Sequence, residues 1–112
     1  MNDEFKNDTK LLLVLTNTSS AEEAQKIADA AIHNHFAAAA QIIGPVKSTF
    51  RWKGKIENAE EWICLLKSSE PLYESLEETI KSLHSYELPG ILTIPVTGGS
   101  MNYFQWIQRQ LR

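Results

Sequence analysis

The chain reads as a single α+β domain of ferredoxin-like type, a βαββαβ sandwich with a long β2–β3 hairpin and an extra C-terminal helix. Three observations predict this. An apolar strand run, Leu11-Leu12-Leu13-Val14-Leu15, is followed by a helix signal from Ser20. A period-two stretch from Val46 turns at Lys53-Gly54-Lys55 and returns to about Lys67. A second helix, a short apolar strand and a last helix complete the order, which is the split βαβ arrangement.

Each element has its own signal. Five consecutive apolar residues, Leu11 to Leu15, suit a central strand covered on both faces. The strand ends at the cluster Thr16-Asn17-Thr18-Ser19-Ser20. Ser20-Ala21-Glu22-Glu23 fits a capping box, in which the Ser and Glu side chains satisfy free amides at a helix start. Ala24, Ile27, Ala28, Ala31 and Ile32 then mark one helical face. Asn34 offers a stop. The alanines at 37–40 have high helix propensity, yet Gln41-Ile42-Ile43 starts a strand, so the boundary is placed at the alanines.

From Val46 the alternation is regular. Val46, Ser48, Phe50 and Trp52 point one way; Lys47, Thr49, Arg51 and Lys53 point the other. Pro45 has no amide hydrogen for the ladder, which predicts a bulge or edge there. Gly54 supplies the turn. The returning strand is expected to break around Asn58-Ala59. Ser69 caps a second helix with Pro71 in its first turn and a buried stripe of Leu72, Leu76, Ile80 and Leu83. Glu77 and Lys81 form an i,i+4 pair. His84 to Gly90 is a loop. Pro95 marks the strand 91–96 as an edge strand. Ser100 caps a final helix that turns Tyr103, Phe104, Ile107 and Leu111 inward. Right-handed crossovers put both main helices on one sheet face. The other face is left apolar and open, which calls for a partner.

Composition narrows function. The 112 residues include 43% hydrophobic ones, enough for a core, and fit one domain over 10–112. Residues 1–9 are polar and aperiodic and are expected to form a disordered tail. The formal charge of -3, from 11 basic and 14 acidic residues, argues against nucleic acid as partner. No apolar run is long enough for a membrane span or signal core, so no membrane partner and a cytoplasmic location are expected. Cys64, the single cysteine, excludes an internal disulfide and a cysteine metal cage. Its apolar neighbours make it a buried core residue. No phosphate-cradling glycine loop, H-E-x-x-H or G-x-S-x-G motif occurs, and no enzymatic reaction is expected.

The informative cluster is His84-Ser85-Tyr86-Glu87. Histidine and carboxylate can hold a divalent ion, and loops carry function more often than strands. The alternative is a helix end with a tyrosine hydrogen-bonded locally. Two ligands do not complete a site, so another strand or subunit would have to add more. His33 and His35 are surface residues at a helix end, with copper capture by the pair a weaker reading. Trp52, Trp62 and Trp106 are core or interface anchors.

Taken together, several segments resemble the CutA family of divalent-cation tolerance proteins. They are Ser48 to Ile56, Glu61 to Ser68, His84-Ser85-Tyr86-Glu87-Leu88-Pro89, Ile94-Pro95-Val96 and Tyr103-Phe104-Gln105-Trp106. The likeness covers about residues 10–112. It implies a homotrimer of architecture similar to the PII signalling proteins, with the hairpin as the trimerisation arm. It also implies a ligand cleft between subunits lined by Trp52, Lys67, Tyr86 and Glu87, with His84 and Glu87 as metal-binding residues and copper or zinc as the ion. Some positions depart from the family. Ala39 stands where L-A-A-C carries cysteine, and Thr16 lies near where bacterial members place a copper-binding cysteine. Phe50 replaces a tyrosine, and Ser85 replaces the proline of H-P-Y-E. These changes disfavour soft-metal binding. The alternatives are a PII-like sensor of a small anionic metabolite, received by Lys67, Arg51 and Lys47, and a structural trimer that scaffolds a protein partner. An RNA-binding module ranks last, lacking aromatic RNP motifs.

Overall fold

The computed structural model describes residues 10–112, so the tail expected over 1–9 lies outside the described residues. Four strands, β1 (Leu11–Thr18), β2 (Ala39–Trp52), β3 (Lys55–Ser69) and β4 (Ile91–Pro95), form one antiparallel sheet in the order β2-β3-β1-β4. Helices α1 (Ala21–His33) and α2 (Tyr73–Leu83) connect them, and α3 (Met101–Gln110) follows β4. This is the ferredoxin-like arrangement with an added C-terminal helix. β4 is an edge strand, as Pro95 predicted.

One face of the sheet carries the core. Val14, Cys64 and Leu66 meet Ala24, Ile27, Ala28 and Ala31 of α1 and Leu76 and Ile80 of α2, all buried. Fully burying a side chain such as Ile27 or Leu76 stabilises by about 1.5–3 kcal/mol. The expected stripe of α2 is shorter than predicted, because Leu83 is left exposed at the helix end. The helix also starts later. Glu70–Leu72 form a 3-10 turn, and the Ser69 side chain makes no capping hydrogen bond. Lys81 and Glu77 do pair, at 2.9 Å.

The start of α1 is half of the capping box. Ser20 Oγ accepts from the Glu23 amide at 3.0 Å. The Glu23 carboxylate turns instead toward His84. α1 ends at His33 with Asn34 as cap, and β2 begins at Ala39, one of the four alanines.

β1 runs three residues beyond Leu15. Thr16 and Thr18 are almost fully buried, and Thr18 Oγ1 reaches two carbonyls, those of Ser20 at 2.9 Å and Trp62 at 3.1 Å. Threonine is β-branched and suits a strand, provided its hydroxyl is satisfied. The break expected at Asn58-Ala59 does not occur either. Asn58 pairs with Thr49, whose Oγ1 donates to Asn58 Oδ1 at 2.8 Å across the ladder.

The hairpin turn uses Lys53 (φ 51) and Gly54 (φ 80), the two left-handed residues of a tight turn that matches strand twist. The register slips between Ile43 and Val46, where Pro45 predicted an irregularity. Gly44 is required there for space. A Cβ would fall 2.5 Å from Trp62 Cδ1.

β1 pairs with β3 only over Trp62–Ser69, so the stretch from Val46 to Glu61 projects as a two-stranded arm. The described chain extends 55 × 26 × 22 Å, with a radius of gyration of 15.2 Å. A compact chain of this length would have about 13 Å. Phe50 and Ile56 on the arm are exposed.

The second sheet face is apolar. By cross-strand pairing, Leu13, Leu15, Ile43, Ile63, Leu65, Leu92 and Ile94 share it. Ile43, Leu92 and Ile94 are exposed, at 49%, 73% and 47%. Over most of its length β1 is therefore covered by helices on one side only. α3 shields one end of this open face, packing Phe104 and Ile107 on Leu11. Tyr103, expected inward, is 43% exposed.

Candidate functional site

The loop after α2 crosses β1 beyond the end of β4, where β1 has an unpaired edge at Asn17 and Thr18. This places His84 and Tyr86 over buried polar groups. The His84 side chain is fully buried. Its Nε2 lies 3.1 Å from Thr16 Oγ1, and its Nδ1 accepts from the Tyr86 amide at 3.3 Å. An accepting Nδ1 puts the ring proton on Nε2, which then donates to Thr16. Glu23 Oε1 sits 3.7 Å from Nδ1, buried and without a hydrogen-bond partner among the described residues. A buried carboxylate oxygen left in this way costs free energy, and it is the most exacting feature of the loop's seat.

Tyr86 Oη donates to Glu61 Oε2 at 2.7 Å, and Asn17 Nδ2 donates to Glu61 Oε1 at 3.3 Å. Glu61 is 5% exposed. Burial, the hydrogen bond to Glu61 and the fields of Glu61 and Glu23 push the Tyr86 hydroxyl far above its ordinary value. Tyr86 is therefore a neutral donor to the Glu61 carboxylate.

The residues predicted from sequence fall into separate places. His84 faces Glu23 and Thr16. Glu87 stands exposed on the loop, with Lys53 Nζ 3.9 Å from its Oε2. Trp52 lies beside Lys53, whose ammonium is 5.6 Å from the indole centre. Lys67 is at the other end of β3, donating to Tyr103 Oη at 2.8 Å. Twelve residues separate it from Lys55, the pairing partner of Trp52, a span of about 40 Å at strand rise. Trp52 and Glu87 thus meet the same residue, Lys53, and Lys67 does not join them within the chain. Among the described residues no group of three or more His, Cys, Asp or Glu side chains is placed to hold a metal ion. Thr16, which lies near where the family resemblance implies a copper-binding cysteine, has its hydroxyl engaged by His84.

Glu23, Glu61 and Asn17 escaped sequence reasoning as parts of this cluster. Glu23 reads from the sequence as part of the capping box. One signal was available for Glu61, which lies in period-two phase with Ile63 and Leu65. A charge in phase with apolar strand positions needs a partner.

Cys64 is fully buried, and burial raises its thiol from 9.0 to about 11. This is the inert setting of a structural cysteine.

The sheet order, projecting arm and closing helix define the class: a ferredoxin-like α+β domain with one helical and one open face. A family profile described as CutA1 divalent ion tolerance protein matches residues 12–110, and the chain belongs to that family. The Divalent-cation tolerance protein CutA of Escherichia coli is 33% identical over 112 residues, all of both chains. Its chloroplastic counterpart in Arabidopsis thaliana is 28% identical over 101 residues, 90% of this chain, and the chain spans 56% of that longer relative. The solved divalent cation tolerance protein of Thermus thermophilus superposes with a TM-score of 0.89 at 29% identity, covering 91% of this chain and 99% of that one. A structure from Archaeoglobus fulgidus, described as a periplasmic divalent cation tolerance protein, gives 0.87 at 31% identity, covering 91% of this chain and 99% of that one. The Escherichia coli, Thermus thermophilus and Archaeoglobus fulgidus proteins are named for tolerance of divalent cations, and the Arabidopsis thaliana one is named Protein CutA, chloroplastic.

Proposed function

We propose that the chain acts in divalent metal ion tolerance as a homotrimer whose ligand sites lie between subunits. The observation that carries this reading is the open apolar sheet face joined to a projecting arm. Exposed Ile43, Leu92 and Ile94, with Phe50 and Ile56 on the arm, form more uncovered apolar surface than a lone subunit of this size tolerates well. Two edge strands, β2 and β4, offer unpaired backbone to neighbours. The cleft residues support the same reading. Trp52 and Glu87 lie near the arm and Lys67 at the base, so a shared cleft requires the arm of one subunit to reach the base of another.

The bound species is a divalent ion or a small ligand. Glu87 is exposed, in a weak surface pair with Lys53 that a neighbour can replace, while His84 reaches an ion only by giving up Thr16 and Tyr86. The location proposed is the cytoplasm, although relatives carry chloroplastic and periplasmic names. Light scattering at micromolar concentration should give a mass near three times 12.7 kDa. A mass of one subunit would overturn the trimer. Calorimetric titration of copper and zinc into wild type, His84→Ala and Glu87→Ala tests the metal. Loss of heat in either variant supports its ligand role, and identical heats in all three remove both residues.

A further inference from the structure

Beneath Lys67 lies a cavity of about 200 Å³. It is enclosed mainly by Leu11, Leu13, Val96, Phe104 and Ile107, with Lys67 among its lining residues. The loop at 98–100 completes the wall, and a Cβ added at Gly98 or Gly99 would meet nothing within 4 Å. The backbone there leaves room beside the opening.

The walls are apolar, and the one cationic lining group is distinctive. Lys67 Nζ lies 5.0 Å over the Tyr103 ring and donates to Tyr103 Oη. Tyr103 is itself stacked on Trp106, their planes 9° apart. These contacts hold the ammonium in place. Tyr103 Oη is the one acceptor recorded for its three N–H groups among the described residues, and no carboxylate pairs with it. A fixed ammonium with donors to spare, at an apolar hole, is complementary to an anion carrying an apolar body. Size narrows the class further. Apolar cavities of about 150 Å³ hold benzene, so this one takes a single ring or a short chain plus a small head.

We propose that this cavity binds a small monocarboxylate with an apolar body, its ring or chain among Leu11, Val96, Phe104 and Ile107 and its carboxylate on Lys67. The inference rests on the intersubunit reading only in that Lys67 faces the proposed cleft. It names the ligand class for that end of it. Phosphorylated metabolites are disfavoured, because a multiply charged head would have one lysine to meet it.

Thermal unfolding of the full chain with phenylacetate, its neutral counterpart 2-phenylethanol, and acetate tests the idea. Phenylacetate should stabilise the protein saturably, and acetate should do so far less. Lys67→Met keeps the apolar stem and should weaken phenylacetate about tenfold while leaving phenylethanol nearly unchanged. Val96→Phe, which fills the cavity, should abolish both effects. No stabilisation of wild type by phenylacetate, or equal stabilisation of Lys67→Met, overturns the proposal. Light scattering on the same samples separates the two readings. A monomer that binds phenylacetate refutes the trimer and keeps the cavity, whereas a trimer that does not bind refutes the cavity alone.

Discussion

Replacing Tyr86 by Phe removes one oxygen from the loop's seat and leaves the ring in place. The oxygen matters because its partner cannot turn to water. Glu61 is 5% exposed and receives two donors, Tyr86 Oη at 2.7 Å and Asn17 Nδ2 at 3.3 Å. The first is short and charge-assisted, and the second is at the long end of the range. Losing the short one strands a buried carboxylate oxygen. Hydrogen bonds to charged groups contribute about 1.5–3 kcal/mol net, and an orphaned buried partner sits at the upper part of that range. Tyr86→Phe should therefore destabilise by about 2–3 kcal/mol. Urea unfolding at fixed protein concentration, followed by tryptophan fluorescence, measures it. Glu61→Leu combined with Tyr86→Phe removes both partners and should cost less than the sum of the single changes. The reasoning is refuted if Tyr86→Phe costs under about 0.5 kcal/mol, the level of an ordinary surface change, or if the two substitutions add.

Three further outcomes follow from the packing. Gly44→Ala forces a Cβ against Trp62 Cδ1 and should cost about 1–3 kcal/mol by the same unfolding assay. Ser20→Ala removes the acceptor for the Glu23 amide and should cost about 1 kcal/mol, read as a lower urea midpoint at unchanged slope. Cys64 should react with thiol reagents only on unfolding. Because its folded value is raised, the stability it contributes is complete below pH 9 and is lost as the pH climbs toward 11. Cys64 should contribute a fall in unfolding free energy of up to about 1.4 kcal/mol per pH unit across that window, and Cys64→Ala should remove that share, leaving the fall that the raised Tyr86 adds above pH 10.

The order of elements was legible because each announces itself locally. Leu11 to Leu15, the cap at Ser20, the alternation from Val46, and Gly54 are all signals within a few residues. Boundaries failed where polar residues pair inside the sheet. Thr16 and Thr18 read as loop because nothing local reveals Trp62 O or His84 as their partners. Asn58 read as a break because Thr49 lies across a ladder. The site was legible as a motif and not as a network. Glu23 and His84 are 61 positions apart, and no periodicity links them. The distance between Trp52 and Lys67 is the opposite case. It follows from strand rise along β3 once Trp52 is paired with Lys55, and the turn at Lys53-Gly54 sets that pairing.

The unequal lengths of the strands have a consequence for amide protection. From Ile63 to Lys67, β3 is flanked by both β1 and β2, while from Lys55 to Glu61 β2 is its one paired neighbour among the described residues. One continuous strand therefore belongs to two cooperative units. Its inner half can open only with the core, and its outer half can unzip from the turn inward at a fraction of that free energy. Hydrogen exchange read along β3 becomes a ruler for assembly. In a lone subunit, protection would step down near Glu61, and contacts made by the arm with neighbouring subunits would erase the step.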